Sequence, residues 1–237
     1  MDRNLLAAGA ARLGVPLDAV QLEQMAAFVA LLYEWNARLN LTRVPREEVV
    51  ARHLLDSLAV CAVAGSPAPR TLIDLGTGAG LPGVPLAVAW PACRVTLLDS
   101  TRKRLDFVDA ALRTLRLPHA RTVHARAEEA ARTPQHRERY DLVVARAVAP
   151  MPLLAGLLLP FARIGGAAVA LKSSGADTEI QGARDRIGAL GGTLERVVEV
   201  PIPGADVRRL LAVLRKERPT PGPARARPAA RRAARRA

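Results

Sequence analysis

The chain contains little cysteine, little lysine and few aromatic side chains. Among its 237 residues there are two cysteines, Cys61 and Cys93, and 3% of the residues are aromatic. Isolated cysteines without metal-ligand spacing are typical of a protein in a reducing compartment. The four histidines are not paired at metal-ligand spacing either. We therefore expect neither a disulfide framework nor a metal centre.

Long apolar runs are missing as well. Half of the residues are hydrophobic, but no run approaches the ~18 residues that a membrane-spanning helix requires. The first residues, Met1-Asp2-Arg3-Asn4-Leu5-Leu6, lack the basic region and apolar stretch of a secretory signal. We expect a cytoplasmic protein that does not associate with membranes.

Positive charge is carried almost entirely by arginine. The chain has 35 basic and 22 acidic residues, a net charge of +13, and lysine occurs at only three positions. Residues 215–237 contain nine basic residues and one acid. Because guanidinium groups bind phosphate in a bidentate manner, this composition favours a nucleic acid as partner. For the tail, a solvated basic surface or an arginine bias of the genome explains the charge equally well.

The N-terminal third is predicted to be helical. Apolar residues recur at helical spacing from Leu17 to Leu39, including Phe28 and Trp35, which we expect in the core. A second helix is predicted from about Pro45 to Ala64, since proline favours a first helical turn. We assign residues 1–66 to a helical extension.

Strands and helices alternate in the next segment, residues 67–216. This alternation is typical of an α/β fold with a mostly parallel sheet covered on both faces. The connection Pro201-Ile202-Pro203-Gly204 is too short for a parallel crossover, so the last two of seven predicted strands should form an antiparallel hairpin. Residues 217–237, rich in Pro, Ala and Arg, are predicted to be disordered. The seven predicted strands are Thr71–Leu75, Arg94–Leu98, Arg121–His124, Asp141–Ala145, Ala167–Leu171, Leu194–Val200 and Arg209–Leu214.

The most informative segment is Thr71–Gly83. An apolar run containing Asp74 leads into three glycines at alternate positions (Gly76, Gly78 and Gly80) and then into a predicted helix. Glycine lacks a Cβ, so a ligand can lie almost against the backbone at the helix start. A second apolar run ends at Asp99, 23 residues after Gly76, where a ribose-binding carboxylate is expected after ~20 residues. The pattern predicts a site for an adenosine-containing cofactor.

The spacing of the glycines favours one cofactor. Dinucleotide sites use Gly-x-Gly-x-x-Gly to make room for a pyrophosphate, whereas this chain has Gly-x-Gly-x-Gly with Asp74 in the preceding strand. S-adenosylmethionine has no phosphate, and an acid tolerates its sulfonium charge. The alternative is a glycine-rich turn that binds nothing.

Ligands of open α/β sheets bind beyond the carboxyl ends of the strands. That edge should hold the glycine turn and a set of residues after the later strands, namely Asp99, Ser100, Ala127, Glu128, Arg146 and Lys172. Arg146 and Lys172 would place two positive charges beside a cationic cofactor, which indicates a polyanionic substrate.

With these residues placed, the chain resembles the bacterial 16S rRNA (guanine(527)-N7)-methyltransferase family, also called glucose-inhibited division protein B. Besides the glycine segment, the resemblance includes Asn40-Leu41-Thr42 and Arg52-His53-Leu54-Leu55-Asp56-Ser57, and it extends from about Leu17 to Leu214. It implies a class I methyltransferase fold, Rossmann-like, with an N-terminal helical extension. It also implies S-adenosylmethionine as cofactor and 16S rRNA or the small ribosomal subunit as partner; we expect a monomer.

The resemblance implies roles for several residues. The residues implied to line the cofactor site are Gly76, Leu81, Ala127, Glu128 and Arg146. Asp99 and Ser100 are implied to lie beside them. Asn40, His53, Asp56 and Lys172 fall on family motif positions, and Ser173 stands where the family usually has a glycine. We expect Asn40 and Thr42 to shape the turn between the two helices, with Thr42 as a cap of the second.

The residues themselves suggest the remaining roles. Asp74 should face the amine end of the cofactor, and Asp99 should accept hydrogen bonds from its ribose or cap a turn. Arg146, Lys172 and His53 are the candidate catalytic residues. For Arg146 the alternative is a salt bridge at the edge of the sheet, and for Lys172 and His53 it is a structural role. Asp56 and Ser57 are expected to tie the helical extension to the sheet.

Missing motifs narrow the reaction. No Asp/Asn-Pro-Pro-aromatic turn follows the fourth strand, neither cysteine follows a strand at the edge, and only Lys172 is placed like a 2′-O-methyltransferase lysine. A ring nitrogen such as guanine N7 needs none of these, because it carries no proton and requires no general base. The alternatives are a non-catalytic RNA-binding protein, which the unbroken glycine loop and Asp99 disfavour, and a nicotinamide oxidoreductase, which should have a further domain after the sheet.

Overall fold

The alternating segments build one seven-stranded sheet in the computed structural model, which describes residues 1–65, 67–146, 149–206 and 208–222. Within these residues the strand order is β3-β2-β1-β4-β5-β7-β6. The strands are β1 Thr71–Leu75, β2 Arg94–Asp99, β3 Ala120–His124, β4 Tyr140–Arg146, β5 Ala162–Ser173, β6 Gly192–Pro201 and β7 Arg208–Lys216. All seven predicted strands are present, and β5 is extended at both ends relative to the prediction.

The first five strands run parallel, and the last two form the predicted hairpin. β7 pairs antiparallel with both β5 and β6, with Ser173 opposite Arg209 in the β5–β7 register. The prediction of a mostly parallel α/β sheet with a terminal antiparallel hairpin is therefore confirmed. Because β1 to β5 are parallel, their carboxyl ends lie at one edge, which we call the carboxyl edge; the opposite edge is the amino edge.

Helices cover both faces of the sheet. They are α5 Gly83–Ala89, α6 Arg102–Thr114, α7 Ala127–Ala130, α8 Met151–Leu158, α9 Asp177–Gly182 and α10 Arg184–Ala189. The N-terminal helices, α5 and α6 share one hydrophobic core with one face, whereas α8, α9 and α10 bury the other. Between β5 and β6 the chain forms two short helices, because Ala183 separates α9 from α10.

The N-terminal extension contains one more helix than predicted. α1 (Arg3–Arg12) precedes α2 (Ala19–Leu39), whose start carries a capping box between Asp18 and Gln21. Phe28 and Trp35 of α2 pack on Phe107 of α6, with ring centroids 6.1 and 5.8 Å away. The extension therefore shares its core with the sheet.

The second predicted helix is present but irregular. A 3₁₀ turn, Arg46–Glu48, is followed by a π-helical turn, Val50–Leu55, and by two short α-helical turns, α3 (Asp56–Leu58) and α4 (Cys61–Ala64). The buried Ser57 hydroxyl donates a hydrogen bond to the carbonyl of His53 at 2.6 Å. Such side-chain bonds compete with the regular helical ladder, and π-helical turns are often found at functional sites.

The chain continues beyond β7 as an ordered segment up to Gly222. The prediction placed the start of a disordered tail at residue 217, but Thr220 is only 5% exposed and lies against the sheet. Residues 223–237 lie outside the described residues, as do Ser66, Ala147, Val148 and Val207. Among the described helices, none combines the length and the apolarity needed to cross a membrane.

Candidate cofactor and substrate site

The glycine turn lies between β1 and α5 at the carboxyl edge. The amides of Gly76 and Thr77 donate to the carbonyl of Leu98, at 2.8 and 3.0 Å, and so fix the turn to the end of β2. Gly78 has a φ of 57°, and a Cβ placed there would come no closer than 3.9 Å to another atom, the oxygen of Gly76. The backbone is therefore bare towards open space, as a closely approaching ligand requires.

Gly80 and Leu81 serve packing in this turn. A Cβ on Gly80 would meet a methyl group of Val84 at 2.6 Å, and φ at this position is 78°. Leu81, a predicted cofactor ligand, is 5% exposed and belongs to the hydrophobic core. The third glycine therefore allows α5 to start close to the turn.

Asp74 is fully buried in β1 and has one free oxygen. Its Oδ2 accepts hydrogen bonds from the Thr77 hydroxyl at 2.6 Å and from the Gly83 amide at 2.9 Å, whereas Oδ1 has no partner among the described residues. Burial raises the pKa of Asp74 to about 6, against the opposing effect of these two hydrogen bonds. A buried carboxylate oxygen without a donor is costly, so Oδ1 fits an ammonium group supplied by a ligand.

Thr77 and Gly83 were not predicted as site residues. A Cβ on Gly83 would come within 2.8 Å of Asp74 Oδ2 and 2.6 Å of a Leu97 methyl group. Glycine at this position is therefore required for α5 to place its first amide on the carboxylate. In the sequence, the only signal for this role is Gly83 itself. It follows the glycine turn directly and is easily counted as part of the turn.

Asp99 ends β2 beside the glycine turn and is 3% exposed. Its Oδ2 accepts from the Gly78 amide at 2.9 Å and its Oδ1 from the Thr101 amide at 2.8 Å. These are the capping contacts that the alternative interpretation expected. Each carboxylate oxygen has two acceptor positions, so a ligand hydroxyl still finds a free one on Asp99.

The segment after β3 completes the cofactor side. The Ala125 amide donates to the carbonyl of Asp99 at 3.2 Å, which brings the start of α7 beside the end of β2. Ala127 is half-buried and Glu128 exposed in that first turn. Ser100 is exposed, and its carbonyl lies 3.1 Å from Nε2 of His124. These predicted cofactor residues therefore lie together with the glycine turn.

Arg146, at the end of β4, shares a buried carboxylate with a second arginine. Asp56 Oδ2 accepts from Nη1 of Arg146 at 2.9 Å, and its Oδ1 accepts from Nε of Arg209 at 2.5 Å. The side chain of Asp56 is 1% exposed, and those of the arginines are 16% and 19% exposed. This cluster joins the helical extension to β4 and β7, and it gives Arg146 a fixed position.

Arg209 was not predicted. It lies on β7, outside any motif, and reaches Asp56 because β7 pairs antiparallel with β5 at the carboxyl edge. Nothing in the local sequence distinguishes it from the other arginines of the chain.

A cavity of about 320 Å³ opens above this cluster. It is lined by Ala51, Arg52, Asp56, Arg146, Ile202 and Arg209, among others. Its volume falls within the ~300–1,000 Å³ of ordinary ligand sites, and three guanidinium groups against one carboxylate make it electropositive. The cavity is suited to an anionic or electron-rich planar ligand.

His53 is buried and tied on both ring nitrogens. Its Nε2 lies 2.6 Å from the Thr42 hydroxyl and its Nδ1 lies 3.0 Å from the Arg52 carbonyl. Burial, with the nearby charge of Arg146, lowers the pKa of His53 to about 4. The imidazole is therefore neutral at pH 7, donating from Nδ1 and accepting from Thr42.

The turn after α2 is built around the same network. Asn40 takes the left-handed conformation with a φ of 48°, and the Thr42 amide donates to Asn36 at 2.8 Å. Thr42 does not cap the second helix as expected. Its hydroxyl instead accepts from the Val44 amide at 3.0 Å and contacts His53. The two residues thus shape the turn.

Lys172 lies at the carboxyl edge of β5 but faces a different partner. Its Nζ lies 2.7 Å from Glu179 Oε1 and donates to the Ala149 carbonyl at 3.0 Å. The hydrogen bond from Lys172 lowers the pKa of Glu179. Lys172 therefore holds the segment that follows β4, whereas Arg146 faces the cavity.

Comparisons with known proteins identify the architecture and the family. The sequence model described as rRNA small subunit methyltransferase G matches residues 21–207. Ribosomal RNA small subunit methyltransferase G of Acetivibrio thermocellus is 40% identical over 220 residues, covering 92% of this chain and 90% of the relative. The enzyme of the same name from Roseiflexus castenholzii is 46% identical over 209 residues, covering 88% of each.

A solved structure shows the same fold at low identity. The methyltransferase domain of a citrinin polyketide synthase superposes with a TM-score of 0.51 at 13% identity, covering 70% of this chain and 52% of that one. Together with the strand order, this likeness confirms the class I methyltransferase fold that the resemblance implied.

Proposed function

Because this chain belongs to the rRNA small subunit methyltransferase G family, we propose that it methylates N7 of one guanosine of 16S rRNA in the small ribosomal subunit. The chain is an rRNA methyltransferase that uses S-adenosylmethionine. The atom, the nucleotide corresponding to guanosine 527 and the residue roles are the proposal. We place the enzyme in the cytoplasm, as a monomer with a helical extension and a catalytic domain.

The observation that carries this proposal is the cavity above Arg146, at the carboxyl edge that also holds the glycine turn. Its described lining presents guanidinium groups to a substrate but no free general base, because Asp56 is bound to two arginines. The nearby His53 is neutral, and both its ring nitrogens are hydrogen-bonded. Guanine N7 has no proton to remove. A site that only holds and orients a base is therefore sufficient for this atom.

The residues of β1 and β2 hold the cofactor in this proposal. Asp74 receives the ammonium group on its free Oδ1, and Asp99 accepts the ribose hydroxyls on its remaining acceptor positions. Gly78 leaves the backbone open to the methionine half. Ala127 and Glu128 contact the adenine. When bound, S-adenosylmethionine supplies a methyl group on an electrophilic sulfonium.

Arg146 orients the guanine in the cavity. Asp56 fixes one of its nitrogens, so the remaining N–H groups point in a constant direction at little entropic cost. The carboxylate also offsets part of the charge of the two arginines, which reduces their repulsion of the positive charge that develops on the guanine as N7 accepts the methyl group. Arg209 shares the carboxylate and contributes a second phosphate or base donor.

Lys172 and His53 are positioning residues in this account. Lys172 holds the segment after Arg146 through Glu179, and His53 holds the turn at Thr42. Neither needs to exchange a proton during methyl transfer.

The test is methyl transfer from labelled S-adenosylmethionine to small subunits from cells that lack the modification, with nucleoside analysis and primer extension. We expect one 7-methylguanosine in 16S rRNA, strongly reduced by Arg146→Ala and by Asp99→Ala. Methylation of a different atom, or of several guanosines, would contradict the proposal. Failure to bind S-adenosylmethionine would contradict the site assignment.

A further inference from the structure

A second basic surface lies at the amino edge, away from the proposed catalytic cavity. A groove of about 590 Å³ is formed there by the first residues of β2 and β3 and by the loop that precedes β4. It includes Arg94, Arg121 and Arg139, together with Thr96 and Gln135. Because a strand rises about 3.3 Å per residue, Arg94 lies about 16 Å along β2 from Asp99. The groove is thus separate from the cofactor site.

The arginines of this groove line it for structural reasons. Arg94 and Thr96 are two residues apart on β2, so their side chains project from the same face of the sheet. Arg121 stands opposite Thr96 in the β2–β3 register. Among the described elements, α7 and the loop carrying Arg139 cover the outer strands on this face, whereas α8 packs on β4 and β5 and α10 on β6. The guanidinium groups therefore remain open to solvent.

No counter-charge balances them within the described part of the chain. None of the groove residues is acidic, and neither Arg94, Arg121 nor Arg139 forms an ion pair with another described residue. The neighbouring Arg163, by contrast, is held by Asp141 at 2.5 Å. Three clustered like charges repel each other, so an anion that bridges them is favoured.

The C-terminal segment is bonded, at Thr220, to the loop that carries Arg139. Thr220 donates its amide to Glu138 at 2.7 Å and its hydroxyl to the Leu190 carbonyl at 3.0 Å, and Arg137 donates to its carbonyl. Lys216, fully buried, lies 3.2 Å from Glu138. These bonds attach residue 220 to the loop that carries Arg139, and six further arginines follow in residues 223–237 of the sequence.

From this placement we infer that the amino-edge groove binds the phosphate backbone of the RNA substrate at a distance from the methylated base. Guanidinium groups on two strands and a loop match consecutive phosphates of a polyanion better than a single small anion, because they are spread along an open groove. This inference rests on the proposed function, since it requires RNA as substrate.

The test compares RNA binding by two full-length variants of equal charge. Arg94→Gln/Arg121→Gln/Arg139→Gln removes the groove, whereas Arg12→Gln/Arg184→Gln/Arg186→Gln removes three exposed arginines of α1 and α10 that lie outside it. Affinity for 16S rRNA is measured by fluorescence anisotropy between 50 and 200 mM salt. We expect the groove variant to bind RNA at least about tenfold more weakly than wild type. The slope of log K against log salt concentration should become smaller in magnitude by about 2. The affinity of the control variant should change less than about twofold.

Methyl transfer separates this inference from the proposed function. In the groove variant, we expect KM for the small subunit to rise while the rate at saturating subunit stays within twofold of wild type. Equal RNA affinity of the groove and control variants, with wild-type methyl transfer intact, would overturn the groove alone. A wild-type chain that methylates no RNA would overturn the proposed function and the groove with it.

Discussion

At the carboxyl edge two arginines share one buried carboxylate, whereas at the amino edge three arginines line a groove that has no acidic residue in its described lining. Asp56 is 1% exposed and accepts from both Arg146 and Arg209. Arg94, Arg121 and Arg139 are exposed and form no ion pair with another described residue. A fixed guanidinium is suited to orienting one base, and a free one to following a flexible phosphate backbone. The difference separates chemistry from attachment.

The largest effect is expected at the buried cluster. Asp56→Ala leaves two guanidinium groups without their carboxylate, and breaking a buried pair costs about 3–5 kcal/mol. We expect the free energy of unfolding to fall by this amount in urea denaturation followed by circular dichroism. Asp56→Asn is the matched control, since it keeps the size and one acceptor and should cost less. A loss below about 1 kcal/mol for Asp56→Ala would contradict the account of this cluster.

A large effect is also expected from pH, through His53. Burial lowers its pKa from 6.5 to about 4. Between these pH values His53 is therefore protonated in the unfolded state but neutral in the folded state. The contribution of the neutral His53 to the free energy of unfolding is therefore fully present above pH 6.5. It is lost as the pH falls towards 4, by up to about 3 kcal/mol. His53→Gln should flatten this part of the profile.

The half-buried His136 at the amino edge provides the control for that profile. Burial and the charge of Arg121 lower its pKa as well. Because it is less enclosed, His136→Gln should flatten the pH dependence of unfolding less than His53→Gln does. The reverse order would contradict the difference between the two edges.

A medium effect is expected on cofactor binding. Asp74→Asn removes the charge that receives the ammonium group, and a hydrogen bond to a charged group contributes about 1.5–3 kcal/mol. We expect the Kd for S-adenosylmethionine to rise at least tenfold in calorimetry. Because the pKa of Asp74 is about 6, wild-type affinity should fall as the pH drops below 6, and the variant should lose this dependence. Unchanged affinity in Asp74→Asn would exclude the contact.

The smallest effect is expected from an exposed ion pair at the amino edge. Arg163 contacts Asp141 at 2.5 Å, but its side chain is 51% exposed, and such pairs contribute about 0–1 kcal/mol. Asp141 keeps its hydrogen bonds from the amide and hydroxyl of Thr71, both at 2.9 Å. Arg163→Ala should therefore lower the free energy of unfolding by less than about 1 kcal/mol. A loss comparable to that of Asp56→Ala would remove the distinction between the edges.

The sequence predicted the elements whose pattern is local. β1 was predicted to the residue, because an apolar run ends there in a glycine turn, and the hairpin of β6 and β7 followed from the length of its connection. α1 was missed, since ten residues with few large apolar side chains give a weak helical period. The π-helical turn at Val50–Leu55 was missed because the Ser57–His53 hydrogen bond that accompanies it leaves no signal in the apolar spacing of the sequence.

The site shows the same division. Asp74 and Asp99 lie in motifs and could be placed from spacing, whereas Arg209 became visible only through the pairing of β7 with β5. The pairing of Lys172 with Glu179 and the sharing of Asp56 by two arginines are long-range contacts. Residue type and spacing thus located the carboxyl edge but could not distinguish a paired arginine from a free one.

The most direct test of this distinction is the dependence of methyl transfer on small-subunit concentration in Arg146→Ala and in the triple variant of Arg94, Arg121 and Arg139. The account predicts that Arg146→Ala lowers kcat about 100-fold, because the base loses its orientation, and that saturating subunit does not restore the rate. It predicts that the triple variant raises KM and that its rate recovers at saturation. Loss of kcat in the triple variant, or recovery of Arg146→Ala at high subunit concentration, would contradict it.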